Sequence, residues 1–227
     1  MKNENVLTLV EGAVMVALAT VLSFVKIVHL PWGGSITLLS MLPIIVFSIK
    51  RGVANGLAAS FVFALIQFIQ GCADGLFGWG LTPVALVACI FIDYIFAFTV
   101  LGLAGIFRKY GMPGVIGGSV MAMGLRLVCH YISGVLIFGS FGELWNGFTV
   151  NEPCLYSLLY NGAYMLPEIV FTVIGAVVLM SVPQTKRLIL KTYKRMKNHR
   201  CGYATVVFAV EKVFCLMCLC YIVQLRL

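Results

Sequence analysis

Between Leu7 and Met180 glycine, proline and charged residues divide the chain into six apolar stretches. They are Leu7–His29, Thr37–Ile49, Gly52–Ile69, Leu81–Phe107, Pro113–Gly139 and Leu155–Met180. A helix needs about 20 residues to cross the hydrocarbon core of a bilayer, and all but the second stretch reach that length or come close to it. The second is short and carries Pro43, so it is expected to be tilted, broken or incompletely spanning. The fourth, fifth and sixth exceed the minimum and must tilt or protrude. The 227 residues are 61% hydrophobic and only 11% charged, against about 25% charged in an ordinary soluble domain. A water-soluble fold of this size could not hide so much apolar surface. The fold class is therefore an all-α integral membrane protein, a six-helix transmembrane bundle.

Three regions follow. Residues 1–185 form the membrane domain, 186–203 a basic cytoplasmic segment, and 204–227 an apolar tail interrupted by Glu211 and Lys212. Adjacent residues lie about 100° apart on a helix, so this pair cannot share a face. The tail reads as an interfacial or loosely attached helix, with a seventh span or a segment foreign to the core fold as the alternatives. The first apolar run is too long for the core of a cleavable signal peptide, and none is expected.

Orientation follows from the basic residues. With six spans, Lys2, Lys50, Arg51, Arg108, Lys109, Lys186, Arg187, Lys191, Lys194, Arg195, Lys197 and Arg200 fall on one side. The opposite loops, around Pro31–Ser35, Gly71–Gly80 and Ser140–Pro153, contain no Lys or Arg. The positive-inside rule then makes the N-terminus and the basic tail cytoplasmic in a cell membrane. The net charge of +8 is thus topological, and nucleic acid is not an expected partner; lipid is. All three tryptophans, Trp32, Trp79 and Trp145, lie in the outward loops, either as an interfacial belt or at the rim of a site.

Ionisable groups inside membrane spans are costly and normally face a cavity or one another. In V-A-C-I-F-I-D-Y-I-F-A-F, Val87–Phe98, Asp93 stands alone among apolar and aromatic residues. Arg126, His130, Gly134 and Phe138 recur every fourth residue and share one face of the fifth helix. Tyr156, Tyr160 and Tyr164 do the same in the sixth, beside Asn161, with Glu168 deeper. At about 1.5 Å of rise per residue, Asn161, His130 and Asp93 lie roughly 9, 14 and 18 Å below the outer ends of their helices. Three helices therefore send polar groups to similar depth beneath a rim holding every tryptophan. This pattern predicts an outward-facing pocket for a small, flat, cationic heteroaromatic compound, its charge answered by Asp93 and its rings by aromatic faces.

Structural alternatives stand beside that reading. Asp93 could pair with Arg126 in an interhelical salt bridge, making the chain a scaffold, and His130 could be a core histidine. Arg126 and Glu168 are expected to pair with each other in the cytoplasmic half. Tyr160 and Tyr164 are expected to pack, and Glu11 and Lys26 to snorkel from the ends of the first span. The eight cysteines are expected to pack as small apolar residues. There is no phosphate loop of the form G-x-x-x-x-G-K-[ST], no H-E-x-x-H and no G-x-S-x-G. An intramembrane enzyme using Asp93 and His130 as acid–base groups is the rival from another class. It lacks a supporting motif, so the chain is read as a non-enzyme with no cofactor or metal.

Four stretches, taken together, carry a resemblance: L-P-W-G-G-S at Leu30–Ser35, D-Y-I-F-A-F at Asp93–Phe98, R-L-V-C-H-Y-I-S-G at Arg126–Gly134, and Y-S-L-L-Y-N-G-A-Y-M-L-P-E at Tyr156–Glu168. In this order and spacing the chain resembles the substrate-binding S components of prokaryotic energy-coupling factor vitamin transporters, most closely the thiamine-specific ones, over about residues 5–185. The resemblance implies a vitamin pocket near the outer surface, a transmembrane coupling subunit and two cytoplasmic ATPase subunits as partners. It implies a thiamine site with the acid at Asp93 beside Tyr94, histidine at His130, glycine at Gly134 and a stacking ring at Phe138. Tyr156, Asn161 and the loop tryptophan Trp32 complete the set. The family pattern has glutamate and tryptophan where this chain has Asp93 and Phe138; Trp145 or a shifted helix would compensate, and another small cationic or aromatic vitamin is the alternative ligand. The resemblance also implies that Ala13 and Ala17 form a docking face for the coupling subunit, small residues four apart allowing close helix approach. Ordinary alanine-rich helix composition is the alternative there.

Overall fold

The computed structural model describes residues 2–30, 34–139, 142–145, 147–187 and 189. Six helices make up the membrane body: α1 Lys2–Phe24, α2 Leu42–Arg51, α3 Val53–Ala73, α4 Pro83–Tyr110, α5 Met112–Phe138 and α6 Pro153–Ser181. Among the described residues, five of them are long and apolar enough to cross a membrane. The expected second span is the exception. Pro43 sits in the first turn of α2, where its missing N–H costs nothing, and Gly52 ends the helix at φ 87°. Its 10 residues rise only about 15 Å, half the hydrocarbon thickness. α2 is buried on every side, with Ile44, Ile45, Phe47 and Ile49 in the core, whereas the outer faces of α1, α3 and α6 expose large apolar side chains to lipid.

Close backbone approach locks α2, α3 and α4 together. A Cβ on Gly102 would overlap the Leu57 amide, and one on Gly105 would meet the Ser48 carbonyl. Ser48 Oγ donates to the Gly102 carbonyl at 2.5 Å and accepts from the Gly105 amide at 3.0 Å. Small residues and a hydroxyl perform here what apolar association cannot, because lipid tails are as apolar as leucine. Close by, Glu11 of α1 accepts from Lys50 Nζ and, at 2.6 Å, from Arg51 Nε. Glu11 is therefore matched within the bundle, not snorkelling to its edge.

The first span is shorter than Leu7–His29. α1 stops at Phe24, and Lys26–His29 becomes strand β1, antiparallel to β2, Ser35–Thr37. The β-branched pair Ile27–Val28 suits a strand as well as a helix, so the apolar run alone could not separate them. Lys26 then belongs to a hairpin at the opposite end of α3 from Arg51 and pairs with Asp74 at 2.7 Å, which puts one basic residue among the loops expected to carry none. A second hairpin joins α5 to α6, with β3 Gly142–Trp145 against β4 Phe148–Val150. Residues 204–227 and most of 186–203 lie outside the described residues.

α4 changes its winding along its length. Thr82 caps it, its Oγ1 accepting from the Ala85 amide at 3.3 Å, and Pro83 occupies the first turn. Pro83–Cys89 is α-helical, Ile90–Phe96 is π-wound, Ala97–Thr99 returns to α, and Val100–Tyr110 tightens to 3₁₀. The outer end of α5, Gly134–Phe138, is π-wound too. Such wide turns often mark functional sites. Both adjoin one cavity.

Candidate functional site

Asp93 lies in the centre of the π-wound stretch of α4. One carboxylate oxygen lies 2.9 Å from His130 Nδ1 of α5. The other accepts from Ser133 Oγ and, at 3.3 Å, from Cys89 Sγ one turn earlier. No Lys or Arg among the described residues comes within ion-pair distance of it. Arg126 instead binds Glu168 at 2.8 Å, and Glu168 also accepts from Thr37 Oγ1 at 2.5 Å. The expected Arg126–Glu168 pairing is found, and the scaffold alternative, an Asp93–Arg126 bridge, is not. The pair does not lie apart from the pocket: Arg126 lines it, over the face of Phe98 at 4.6 Å.

Around Asp93 opens a cavity of about 150 Å³, walled by the end of α1, the first hairpin and helices α3 to α6. Asp93, Tyr94, His130, Gly134, Phe138, Tyr156 and Asn161 all line it. Trp32 lies outside the described residues and Trp145 falls in β3. The backbone at Gly134 must be bare, because a Cβ there would overlap Ser157 Oγ.

Asn161 joins the walls to each other. Its amide nitrogen donates to the Ser157 carbonyl at 2.9 Å and the His130 carbonyl at 3.3 Å, while its oxygen accepts from Tyr164 Oη at 2.9 Å. Both ends of its amide thus already serve the protein. Tyr160 and Tyr164, expected to pack only, line the cavity; Tyr160 Oη accepts from the Gly34 amide at 3.2 Å and so ties the hairpin to α6. Trp79, known from sequence only as a rim tryptophan, meets Phe138 edge-on at 5.8 Å. Cys89, expected merely to pack, reaches the carboxylate. The first-span residue Ser23 bonds Gln70 of α3, and both are in the wall with Gln67. The signal that could have found these polar residues was their fall on the outer ends of spans facing the same loops as Trp32 and Trp79.

Three buried polar atoms in the wall lack a partner among the described residues: His130 Nε2, Gln67 Nε2 and Arg126 Nε. Buried polar atoms are nearly always satisfied, so these mark places where a ligand or solvent would bond. In the neutral tautomer that directs the Nδ1 proton at Asp93, Nε2 of His130 is an acceptor. The wall therefore presents an acid, a ring acceptor and several aromatic faces in one enclosure, suited to a flat cation bearing an amine. Among the described residues no cluster of His, Cys, Asp and Glu could hold a metal ion.

Comparison with known proteins agrees with this architecture. The family model described as thiamine transporter protein (Thia_YuaJ) matches residues 9–188. The thiamine transporter ThiT of Bacillus subtilis (strain 168) is 32% identical over 211 residues, covering 85% of this chain and 98% of the relative. ThiT of Lacticaseibacillus paracasei is 26% identical over 198 residues, covering 80% and 90%. A solved structure of ThiT from Listeria monocytogenes superposes with a TM-score of 0.65 at 26% identity, covering 82% of this chain and 98% of that one. The chain belongs to the thiamine transporter protein family.

Proposed function

We propose that the chain is the membrane-embedded thiamine-binding S component of an energy-coupling factor transporter, capturing thiamine from outside in the cavity around Asp93. Family membership makes it a multi-pass membrane protein of thiamine transport, not an enzyme. The observation that carries the site is charge balance. Arg126 is matched by Glu168 and Lys26 by Asp74, which leaves Asp93 as the wall's acid without a Lys or Arg partner. A carboxylate so placed costs several kcal/mol unless a cation or proton answers it, and thiamine brings both a cationic ring and an amine.

In this reading Asp93 and His130 Nε2 accept from the aminopyrimidine, with Ser133 holding the carboxylate in place. Phe138, Tyr94 and Tyr156 offer faces to the rings, and Gly134 gives them room. Trp32 and Trp145 are proposed to close over the ligand. Asn161 acts by joining α5 to α6, its amide being already engaged. Uptake would need a transmembrane coupling subunit and two ATPases. Ala13 and Ala17 are exposed on α1, as a docking face for the coupling subunit requires. A cytoplasmic N-terminus is proposed from the twelve-to-one distribution of basic residues.

The test is a thiamine titration of the purified chain in detergent, followed by tryptophan fluorescence. Saturable one-to-one quenching, weakened at least a hundredfold in Asp93→Asn, is expected. Loss of a charge-assisted bond alone accounts for about 1.5–3 kcal/mol, and loss of the cation's counter-charge adds to it. Undiminished binding by Asp93→Asn would remove the site assignment; no binding by folded wild-type protein would remove the ligand.

A further inference from the structure

The cavity has a floor and a mouth. The Asp93 and His130 side chains are 12% and 13% exposed, whereas Lys26 and Asp74 in the same wall are 28% and 50% exposed. Lys26 comes from β1 and Asp74 from the end of α3, so their 2.7 Å ion pair spans the mouth between two elements. Beside them Ser23 and Gln70 exchange hydrogen bonds of 3.1 and 3.0 Å. Lys26 is the one lysine among the lining residues, and the lining arginine, Arg126, is held by Glu168.

Thiamine is elongated, with the aminopyrimidine at one end and the hydroxyethyl group of the thiazolium at the other. Its phosphate esters differ only at the hydroxyethyl end. If the aminopyrimidine is held on the floor, as proposed above, that end comes to the mouth. A phosphate there would seek the Lys26 ammonium and would meet Asp74 as a like charge.

We propose that Asp74, by its ion pair with Lys26, is the residue that keeps the site selective for free thiamine over thiamine phosphates, because it engages the mouth cation that a phosphate would otherwise take. This rests on the thiamine reading of the cavity. The pair is partly solvated, so one unit of charge moves relative affinity by about tenfold, near the solvent-screened end of the Coulomb range.

The test titrates thiamine and thiamine monophosphate into the full-length chain in detergent, as wild type, Asp74→Asn, Lys26→Met and the double variant. The readout is the ratio of the monophosphate Kd to the thiamine Kd. In Asp74→Asn the ratio is expected to fall about tenfold, because the ester gains a free ammonium and loses a like-charge neighbour, whereas the thiazolium common to both ligands cancels from the ratio. In Lys26→Met it is expected to rise, and in the double variant to return towards wild type. A pair that only anchors the hairpin would weaken both ligands together. An unmoved ratio, or one moving the same way in both single variants, overturns the selectivity proposal while leaving thiamine binding intact. No thiamine binding by the wild-type chain overturns the site reading, and the selectivity proposal with it.

Discussion

Glu168→Gln isolates the energetic weight of the ion pair beneath the first hairpin. Glu168 is 1% exposed and Arg126 is 5% exposed, so neither charge can turn to water. The carboxylate accepts from Arg126 at 2.8 Å and from Thr37 at 2.5 Å. Glutamine keeps one acceptor oxygen but sets an N–H donor against one of these two donors, and it leaves the guanidinium without a counter-charge. Breaking a buried pair from one side costs about 3–5 kcal/mol. Arg126 retains its place over Phe98, worth about 1 kcal/mol, so the lower figure applies. At about 2–4 °C per kcal/mol for a chain of this size, the midpoint of thermal unfolding in detergent should fall by about 6–12 °C. The neutral double variant Arg126→Met/Glu168→Met should recover much of that loss, because a buried pair replaced by apolar groups is often near neutral. A Glu168→Gln midpoint within about 2 °C of wild type, or a double variant less stable than the single, would refute the reasoning.

Three further outcomes are expected. Gly102→Ala drives a methyl into the Leu57 amide across the α3–α4 contact, where only backbone could yield, and should destabilise the chain by about 3 kcal/mol in the same unfolding assay. Gly134→Ala displaces Ser157 and so disturbs the bond network around Asn161, so thiamine affinity measured by fluorescence should fall more than tenfold while the unfolding midpoint moves far less than in Gly102→Ala. Cys154 is exposed at the outer start of α6, so a membrane-impermeant maleimide should label it on intact cells, with the signal lost in Cys154→Ser; labelling only after permeabilisation would reverse the orientation.

Much of this molecule was legible in its residues, for identifiable reasons. Long apolar runs leave few options but to span, and a half-length run with Pro43 announces a half-length helix. Asp93 was visible because nothing near it in sequence could neutralise it, and the Arg126–Glu168 pair because two intramembrane charges of opposite sign need each other. The Lys26–Asp74 pair was hidden because its members are 48 residues apart and Lys26 sits in what reads as a continuous first span. Tyr160 and Tyr164 were misread because tyrosines four apart on a helix serve packing and polar roles with the same spacing. The hairpins escaped because K-I-V-H is too short to distinguish strand from the end of a helix. The π-wound stretches leave no trace in composition at all.

That winding gives α4 a mechanical asymmetry. Its outer half is wound wide around Asp93, while its inner half must keep Gly102 and Gly105 facing Ser48 and Leu57. In a uniform α-helix one residue more or less turns everything beyond it by about 100°. A wide turn is a slack coil already holding surplus chain, and removing one residue between Ile90 and Phe96 lets it relax to ordinary winding with the inner half left in phase. The same deletion between Ala97 and Thr99 has no slack to draw on and would swing the glycines off their partners. A deletion scan read by folded yield should therefore find the tolerant window at the level of the cavity. This span can thus change length where it lines the cavity while holding still where it meets its neighbours.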